Sequence, residues 1–489
     1  MRLDLLETLK MTTDGQQYRM PARDVAVLLD VDVLVVGGGF PGVCAAVGAA
    51  RAGAKVAILE RDGMLGGQAA EVYTFGLDAV CDADGRRIIK GLPWEIISKT
   101  VALGQADPCW SELDFQKLER EGYDAALGEL GRNAKWKSDT YLDRNAFRHV
   151  LRTLAEEEKV TVLLESPIAG AMLDGNRVKG VIAQGAYEPF AVAGKVVVDA
   201  TPQAAVAAMA GCPFQFPEVY LGTHPHVSGI DIARLIEYTC EHRDDVAVTG
   251  VEDPSVEVLL DLVERGTPLR FCGFDAARLR AIKDDPTCEA TGSGGSPEFL
   301  FYYDGAGRGT HWIHAKGWQF SRLDDPLHLS RVILELRRRQ WLTHRFFRDH
   351  IPGFEHARLD DIHPHIARAL LVSREPGGLT DYEVPWAEIE GGATTRSDCI
   401  ARVMGHPNMG QWRGGWQLPY AALLAKGLEG LLVTGKPACR FIHYHGTCAA
   451  VGQAAGVAAA LAATTGVGPR QLEVEGVREE LRRQGALAC

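Results

Sequence analysis

An α/β fold organised around a mononucleotide-binding βαβ unit is predicted by three features: the β-branched apolar run Val31-Asp32-Val33-Leu34-Val35-Val36, the glycine turn Gly37-Gly38-Gly39-Phe40-Pro41-Gly42, and an alanine-rich helical stretch from Val43 to Ala52. Short β-branched runs bounded by turn residues read as buried strands, and the helical stretch that follows completes the first two elements. Lys55-Val56-Ala57-Ile58-Leu59-Glu60 supplies the second strand.

Two later regions continue the pattern. The first predicts a helix over Asn145–Glu157 and strands around Val160–Leu164, Ile168–Leu173 and Val178–Gln184. The turn Asp174-Gly175-Asn176 joins the last two, and Lys195-Val196-Val197-Val198-Asp199-Ala200 reads as a buried strand. The other region predicts a strand at Gly430–Gly435 and a small-residue helix from about Thr447 to Ala463. The expected organisation is therefore a Rossmann-type domain made of residues 28–85, 140–210 and 427–465. An α+β domain over 86–139 and 211–426, richer in His, Trp, Arg and Pro, is inserted to hold substrate, and 466–489 forms a helical tail. A chain of 489 residues exceeds the usual size of one core, which agrees with such a division.

Apolar residues make up 46% and charged residues 24%, a globular composition. No segment approaches the unbroken apolar length of a membrane span, so no membrane partner is expected. A net charge of −12 opposes a phosphate backbone, which argues against nucleic acid. Met1-Arg2-Leu3-Asp4-Leu5-Leu6-Glu7 lacks a secretory profile, and eleven cysteines without framework spacing suit a reducing compartment; both point to the cytoplasm.

The glycine turn carries the first chemistry. Gly37, Gly39 and Gly42 satisfy G-x-G-x-x-G between a strand and a helix, where they allow the tight turn, the approach of a diphosphate and close helix packing. Glu60 ends the second strand 18 residues after Gly42, where a carboxylate accepts ribose hydroxyls. A second glycine pair in Arg61-Asp62-Gly63-Met64-Leu65-Gly66-Gly67-Gln68 suits a cofactor longer than a nicotinamide dinucleotide.

These motifs, with Gly175-Asn176-Arg177-Val178-Lys179-Gly180-Val181, Val198-Asp199-Ala200-Thr201, Val372-Ser373-Arg374-Glu375, Leu418-Pro419-Tyr420, Leu431-Leu432-Val433-Thr434-Gly435 and Thr447-Cys448-Ala449-Ala450-Val451-Gly452-Gln453-Ala454-Ala455-Gly456, resemble the FAD-dependent oxidoreductases of the glutathione-reductase-2 type almost end to end. The resemblance implies non-covalently bound FAD. It places Gly37, Gly39 and Gly42 at the diphosphate and Glu60 and Arg61 toward the adenosine, with Phe40, Pro41, Gly66, Gly67 and Gln68 also among the cofactor-binding residues. Ile168 would lie near adenine. Ala200, Thr201 and Gly435 would line the turns, and Gly452, Gln453 and Ala454 the flavin-capping helix. Two stretches depart from the family: Pro202-Gln203 stands where a glycine and an acid are usual, and the loop Lys436–Thr447 is this chain's own.

Within that loop, His443 and His445 are candidates to take a proton while flavin N5 takes a hydride. Arg374 and Arg440 are candidates to fix a substrate carboxylate or stabilise flavin charge. Cys439 and His443 are the nearest residues for covalent attachment of flavin, which is not expected. Three His-x-His pairs occur, His224 with His226, His363 with His365 and His443 with His445, but no further ligand completes a metal spacing and no metal is expected. A second G-x-G-x-x-G is absent, and so is a cysteine pair after the first glycine motif. The expected activity is oxidation of a small organic substrate, with electrons passed to oxygen or an external acceptor. Reduction of an activated C=C bond and a non-redox hydratase or isomerase with structural FAD are the alternatives. Oligomeric state leaves no trace in the sequence.

Overall fold

The computed structural model describes residues 23–71, 88–103, 106–107, 141–212, 219–248, 251, 253–264, 269–291, 299–303, 308–314, 325–362, 365, 367–370, 378–390, 396–403, 416–439, 442 and 444–486. In chain order the first part comprises β1 (Val27–Val36), α1 (Phe40–Arg51), β2 (Val56–Leu59), α2 (Gln68–Glu71), α3 (Leu92–Ala102), β3 (Ala106–Asp107), β4 (Tyr141–Leu142), α4 (Arg144–Glu157), β5 (Thr161–Leu163), β6 (Ile168–Asp174), β7 (Arg177–Gln184), β8 (Pro189–Asp199) and α5 (Ala205–Met209). The middle part runs β9 (Val219–Thr223), β10 (His226–Ser228), α6 (Ile232–Glu241), β11 (Val246–Val248), α7 (Val256–Glu264), β12 (Leu269–Gly273), α8 (Asp275–Asp284), β13 (Phe299–Tyr303), β14 (Arg308–His314), α9 (Pro326–His350), β15 (Arg358–Asp361), β16 (Ala367–Leu370), α10 (Trp386–Glu390), β17 (Cys399–Val403) and β18 (Trp416–Pro419). The chain then returns with β19 (Leu431–Val433), α11 (His445–Thr465) and α12 (Val474–Arg483).

Seven strands form the first sheet, in the order β5-β2-β1-β8-β7-β6 with β19 beside β8. Strands β5, β2, β1, β8 and β19 run parallel, and β6 and β7 add an antiparallel meander. The sequence placed the start of β8 at Lys195, but the strand begins at Pro189. On the side away from β1 its first half pairs with β7 and its last residues with β19, and its Pro189-Phe190-Ala191 start lacks the branched run that marks the second half. Helix α1 likewise begins three residues before the expected Val43, because Pro41 fits the first turn of a helix, where no N–H is required.

The core of this sheet is sealed by α1 and α11. Val33, Leu34, Val35, Ala57, Ile58, Val197 and Val198 are essentially inaccessible to solvent, as are Ala45, Val47, Ala455 and Ala459 of the two helices. Helix α11 is apolar on all sides. It is long and apolar enough to cross a membrane, which corrects the expectation that no segment approaches that length, yet 89% of its apolar window lies inside the protein. A helix hydrophobic all round belongs in a large core or a bilayer, and here the core supplies the partners. Its packing on α1 is backbone to backbone. A Cβ on Gly452 would lie 2.1 Å from Pro41 O, and one on Gly456 1.9 Å from Ala45 O.

The second sheet has eight strands, β11-β12-β13-β14-β10-β15 with β9 joined to β14 and β16, and is antiparallel. It has its own core, in which Val227, Phe271 and Phe301 of the sheet meet Leu235 and Ile236 of α6 and Phe346 and Phe347 of α9. Asp325 caps α9 by accepting the His328 N–H at 2.9 Å, and Pro326 occupies its first turn. The fold is thus α/β with a second, α+β portion.

Three helices of the first core are tied by one cation. Arg51 of α1 donates to both oxygens of Glu95 on α3 (2.7 and 3.1 Å) and to Glu158 after α4 (2.7 Å). The group is half-buried, so its geometry is less screened than that of a surface pair. Among the described cysteines seven carry thiols, and Cys399 is disulfide-bonded.

Two outcomes follow from this packing. Gly456→Val should cost at least the ~1–3 kcal/mol typical of overpacking, read as a lower Tm in scanning calorimetry, because the obstacle is the Ala45 carbonyl and not a movable side chain. The Arg51 guanidinium holds the Glu95 carboxyl below the ordinary carboxylate value. That contribution to stability is complete above the unfolded value and is lost as pH falls through the folded one, so Glu95→Gln should flatten the acid limb of a Tm-against-pH curve and lower the plateau above it.

Candidate active site

The parallel strands β2, β1, β8 and β19 end along one edge, the position where open α/β sheets bind their ligands. There Gly37 adopts φ +104°, and a Cβ on it would sit 2.9 Å from the Ala200 carbonyl carbon and oxygen. Gly42 is pressed so closely on the turn that a Cβ would lie 1.8 Å from Gly37 O. Gly39 differs from both: its φ is −65° and its nearest neighbours to a Cβ would be Pro41 Cδ at 3.8 Å and Gly67 Cα at 4.0 Å. Gly37 and Gly42 therefore shape the turn, while Gly39 opens onto a cradle. The helix begins at Phe40, leaving the first N–H groups of α1 without intrahelical acceptors, with Pro41 contributing none.

The second glycine pair lies against the first. Gly66 N–H donates to Gly38 O at 2.8 Å, Gly39 and Gly66 form a parallel bridge, and a Cβ on Gly67 would meet Gly39 Cα at 2.9 Å. Gln68 follows, half-buried at the start of α2.

Glu60 is buried at the end of β2. Its carboxylate accepts the Gly38 N–H at 2.6 Å and the Asp62 N–H at 3.0 Å. Burial raises its pKa against the pull of those two donors, so further hydroxyl donors would favour the charged form. Arg61 is exposed and pairs with Asp62 at 3.3 Å. The chain near 165 closes on this corner, with Ser166 N–H donating to Glu60 O and Glu165 N–H to Asp62 O, while Ile168 is half-buried where β6 pairs with β7.

The turn after β8, which carries Pro202-Gln203, is held by Asp199. Asp199, fully buried, accepts from Thr201 N–H (3.0 Å), Thr201 Oγ1 (2.7 Å) and Ala207 N–H (3.0 Å), which fixes Ala200 and Thr201 beside Gly37. On the other side stands Thr434, 1% exposed, whose Oγ1 has no hydrogen-bond partner within the protein. Gly435, with φ +67°, brings that turn to Pro41, a Cβ there lying 3.6 Å from Pro41 Cγ. An open glycine cradle, a buried carboxylate with acceptor capacity to spare and an orphaned buried hydroxyl are the features an adenine dinucleotide fits.

Four of the expected cofactor residues turn to the protein interior. The Phe40 side chain is in the core, edge-on to Phe147 at 5.1 Å, so only its backbone faces the cradle. Gln453 is 0% exposed and its amide is committed to protein: Oε1 accepts the Leu92 N–H at 3.0 Å and Nε2 donates to Gln484 Oε1 at 3.1 Å. Gly452 and Ala454 are buried, Gly452 in the contact with α1. Small residues at this stretch of α11 thus serve helix packing.

Arg374, Arg440 and His443 lie outside the described residues. His445 is the first residue of α11, half-buried, with burial and the nearby Lys436 cation lowering its pKa to about 3. Lys436 follows Gly435 directly, and burial lowers its own value. Sequence reasoning did not single out Thr434 or Lys436, although a lone cation after the strand's Thr-Gly was a visible signal. It named His365 only as half of a His-x-His pair and did not foresee that its Nε2 lies 3.3 Å from Asp62 Oδ1, which brings the middle of the chain to the corner beside Glu60. Among the described residues no three His, Cys, Asp or Glu side chains gather to hold a metal ion.

The family model described as FAD dependent oxidoreductase matches residues 32–369 and 401–481, which include this whole edge. The chain belongs to that family. FAD is its cofactor. Among solved structures, this flavoprotein is similar to a geranylgeranyl bacteriochlorophyll reductase-like protein from Thermoplasma acidophilum (14% identity, 94% of this chain and 84% of that one, TM-score 0.45). It is also similar to the myxobacterial chondrochloren halogenase (12%, 93% and 79%, 0.41) and to L-proline dehydrogenase from P. horikoshii (13%, 94% and 99%, 0.39).

Because a Cβ at Gly39 would meet nothing closer than ordinary contact with Pro41 Cδ at 3.8 Å, Gly39→Val should leave the apoprotein folded yet raise the Kd for FAD at least tenfold. Gly42→Val should instead lower the apoprotein Tm. Flavin fluorescence titration alongside calorimetry separates the two effects.

Proposed function

We propose that this FAD-dependent oxidoreductase oxidises a small organic substrate by hydride transfer to the flavin, that FAD is held non-covalently, and that electrons leave to oxygen or an external acceptor. The observation that carries this reading is His445, a neutral imidazole at the amino end of α11 beside Lys436, in the same strand-edge region as Thr434 and Gly435.

FAD, when bound, supplies the hydride acceptor. The protein's part is to position and to manage charge. Gly39 and the start of α1 receive the diphosphate, and Glu60 receives the ribose hydroxyls. Lys436 and the positive end of α11 favour negative charge developing on whatever lies before them. His445 resists protonation, so it does not store a proton. It accepts a hydrogen bond from a substrate O–H or N–H and orients that group, and the proton is released to solvent water as the hydride departs. The inserted antiparallel portion forms the substrate domain, with His365 closing it over the ribose corner.

Because His445 charges only near pH 3, the rate of anaerobic flavin reduction by substrate should show no inflection from it between pH 5 and 8. His445→Ala should lower that rate by ~10²-fold, at the lower end of what a positioned proton-handling group contributes. Stopped-flow absorbance follows the bleaching of oxidised flavin. Equal rates in His443→Ala, His445→Ala and the parent would remove both imidazoles, and product formed without bleaching would favour the hydratase or isomerase alternative.

A further inference from the structure

Helix α9 has two unlike sides. Val332, Leu336, Phe346 and Phe347 are buried on the side that packs against the second sheet. The opposite side carries Leu327, Leu334 and Trp341, which are 53%, 69% and 60% exposed. Each stands two turns from the next, so an α-helix sets them in one stripe about 21 Å long. A single exposed leucine is ordinary, but a row of large apolar groups ending in a solvent-facing indole marks a contact surface. Guanidinium groups interleave with this row. Arg331 lies four residues after Leu327 and three before Leu334, Arg338 holds the same relation to Leu334 and Trp341, and Arg345 follows Trp341 by one turn. With Arg337, Arg339 and Arg348 they face only two acids on the helix, Glu335 and Asp349, in a chain whose net charge is −12. Glu335 serves both Arg338 (2.7 Å) and Arg339 (3.0 Å), and Arg331 forms no ion pair among the described residues, so positive charge remains in excess along the stripe.

We propose that the exposed stripe of α9 docks the enzyme on an anionic lipid bilayer, with the helix lying in the plane of the headgroups. Leu327, Leu334 and Trp341 enter the boundary between headgroups and acyl chains, where an indole is favourably placed, and the arginines between them extend along their aliphatic stems to the lipid phosphates. Excess positive charge on an otherwise acidic protein orients this side toward a negative surface. Adsorption of this kind needs no membrane-spanning segment. A second copy of the chain suits the stripe less well, because antiparallel pairing about Leu334 would set Arg331 of one copy against Arg337 of the other, and like charges across an interface repel. The packing of the opposite side on the second sheet holds the helix as a rigid rod, so the stripe is presented without further folding. The inference is independent of the flavin chemistry and of which substrate is oxidised.

The test mixes the holoenzyme with vesicles of phosphatidylcholine alone or of phosphatidylcholine with phosphatidylglycerol and measures the fraction that sediments with lipid. The parent should sediment with the anionic vesicles, progressively less as salt is added, and not with the neutral ones. Leu334→Glu and Trp341→Glu should each weaken that binding roughly tenfold or more while flavin content and anaerobic flavin reduction stay at the parent's level, since both side chains face solvent. A second readout uses the parent with Trp341→Phe as its reference: anionic vesicles should shift tryptophan emission to the blue in the parent, and the shift should be lost in the variant. Failure of the parent to sediment with anionic vesicles, or equal binding by the parent and both Glu variants, would overturn the proposal. So would light scattering that finds the parent dimeric and the Glu variants monomeric, which would give the stripe to a second copy.

Discussion

The backbone contact between α1 and α11 is the constraint from which the cofactor edge is built. Pro41 O and Ala45 O approach the Cα positions of Gly452 and Gly456 at distances that no side chain permits. This approach carries the turn at Gly435 to Pro41, and with it Thr434, Lys436 and the start of α11. Two segments far apart in sequence thereby make one edge. Dispersion between closely packed Ala and Gly backbones is small per atom but accumulates along a helix of this length. The price of glycine in a helix, ~1 kcal/mol each relative to alanine, is offset by contacts that alanine could not make.

Around that contact, structural and chemical duties are divided among residues that look alike in sequence. Gly37 and Gly42 are conformational and steric requirements of the turn, whereas Gly39 leaves an opening. Of the acids, Asp199 is fully spent on capping the turn after β8, while Glu60 retains lone pairs. Gln453, buried and hydrogen-bonded at both its amide oxygen and its amide nitrogen, ties α11 to α3 and to the C-terminal helix, which in turn reaches Gly48 O through Gln484.

Much of this was legible from residues alone. Branched apolar runs marked β1, β2 and β19, and the spacing of glycines between strand and helix marked the cradle, because those positions answer to local sterics. The first half of β8 escaped notice since its partners, β7 and β1, lie elsewhere in the chain, and alternation is weak where both faces are covered. Phe40 and Gln453 were assigned to the cofactor by motif, yet their side chains point to Phe147 and Leu92, contacts set by tertiary packing. His365 drew attention as half of a His-x-His pair; its approach to Asp62 depends on how the inserted portion returns to the first sheet, which no local pattern encodes.

Synthesis order gives β8 its last consequence. The strand leaves the ribosome early, but its neighbour β19 and the sealing helix α11 emerge only after the entire antiparallel portion has been made. Until then the alanine face of α1 and one flank of β8 stay unprotected. The nascent chain therefore spends most of its elongation with a half-built cofactor sheet, and delivery of FAD must wait for its final stretch, a schedule under which chaperones that shield apolar surface would decide the yield of active flavoprotein.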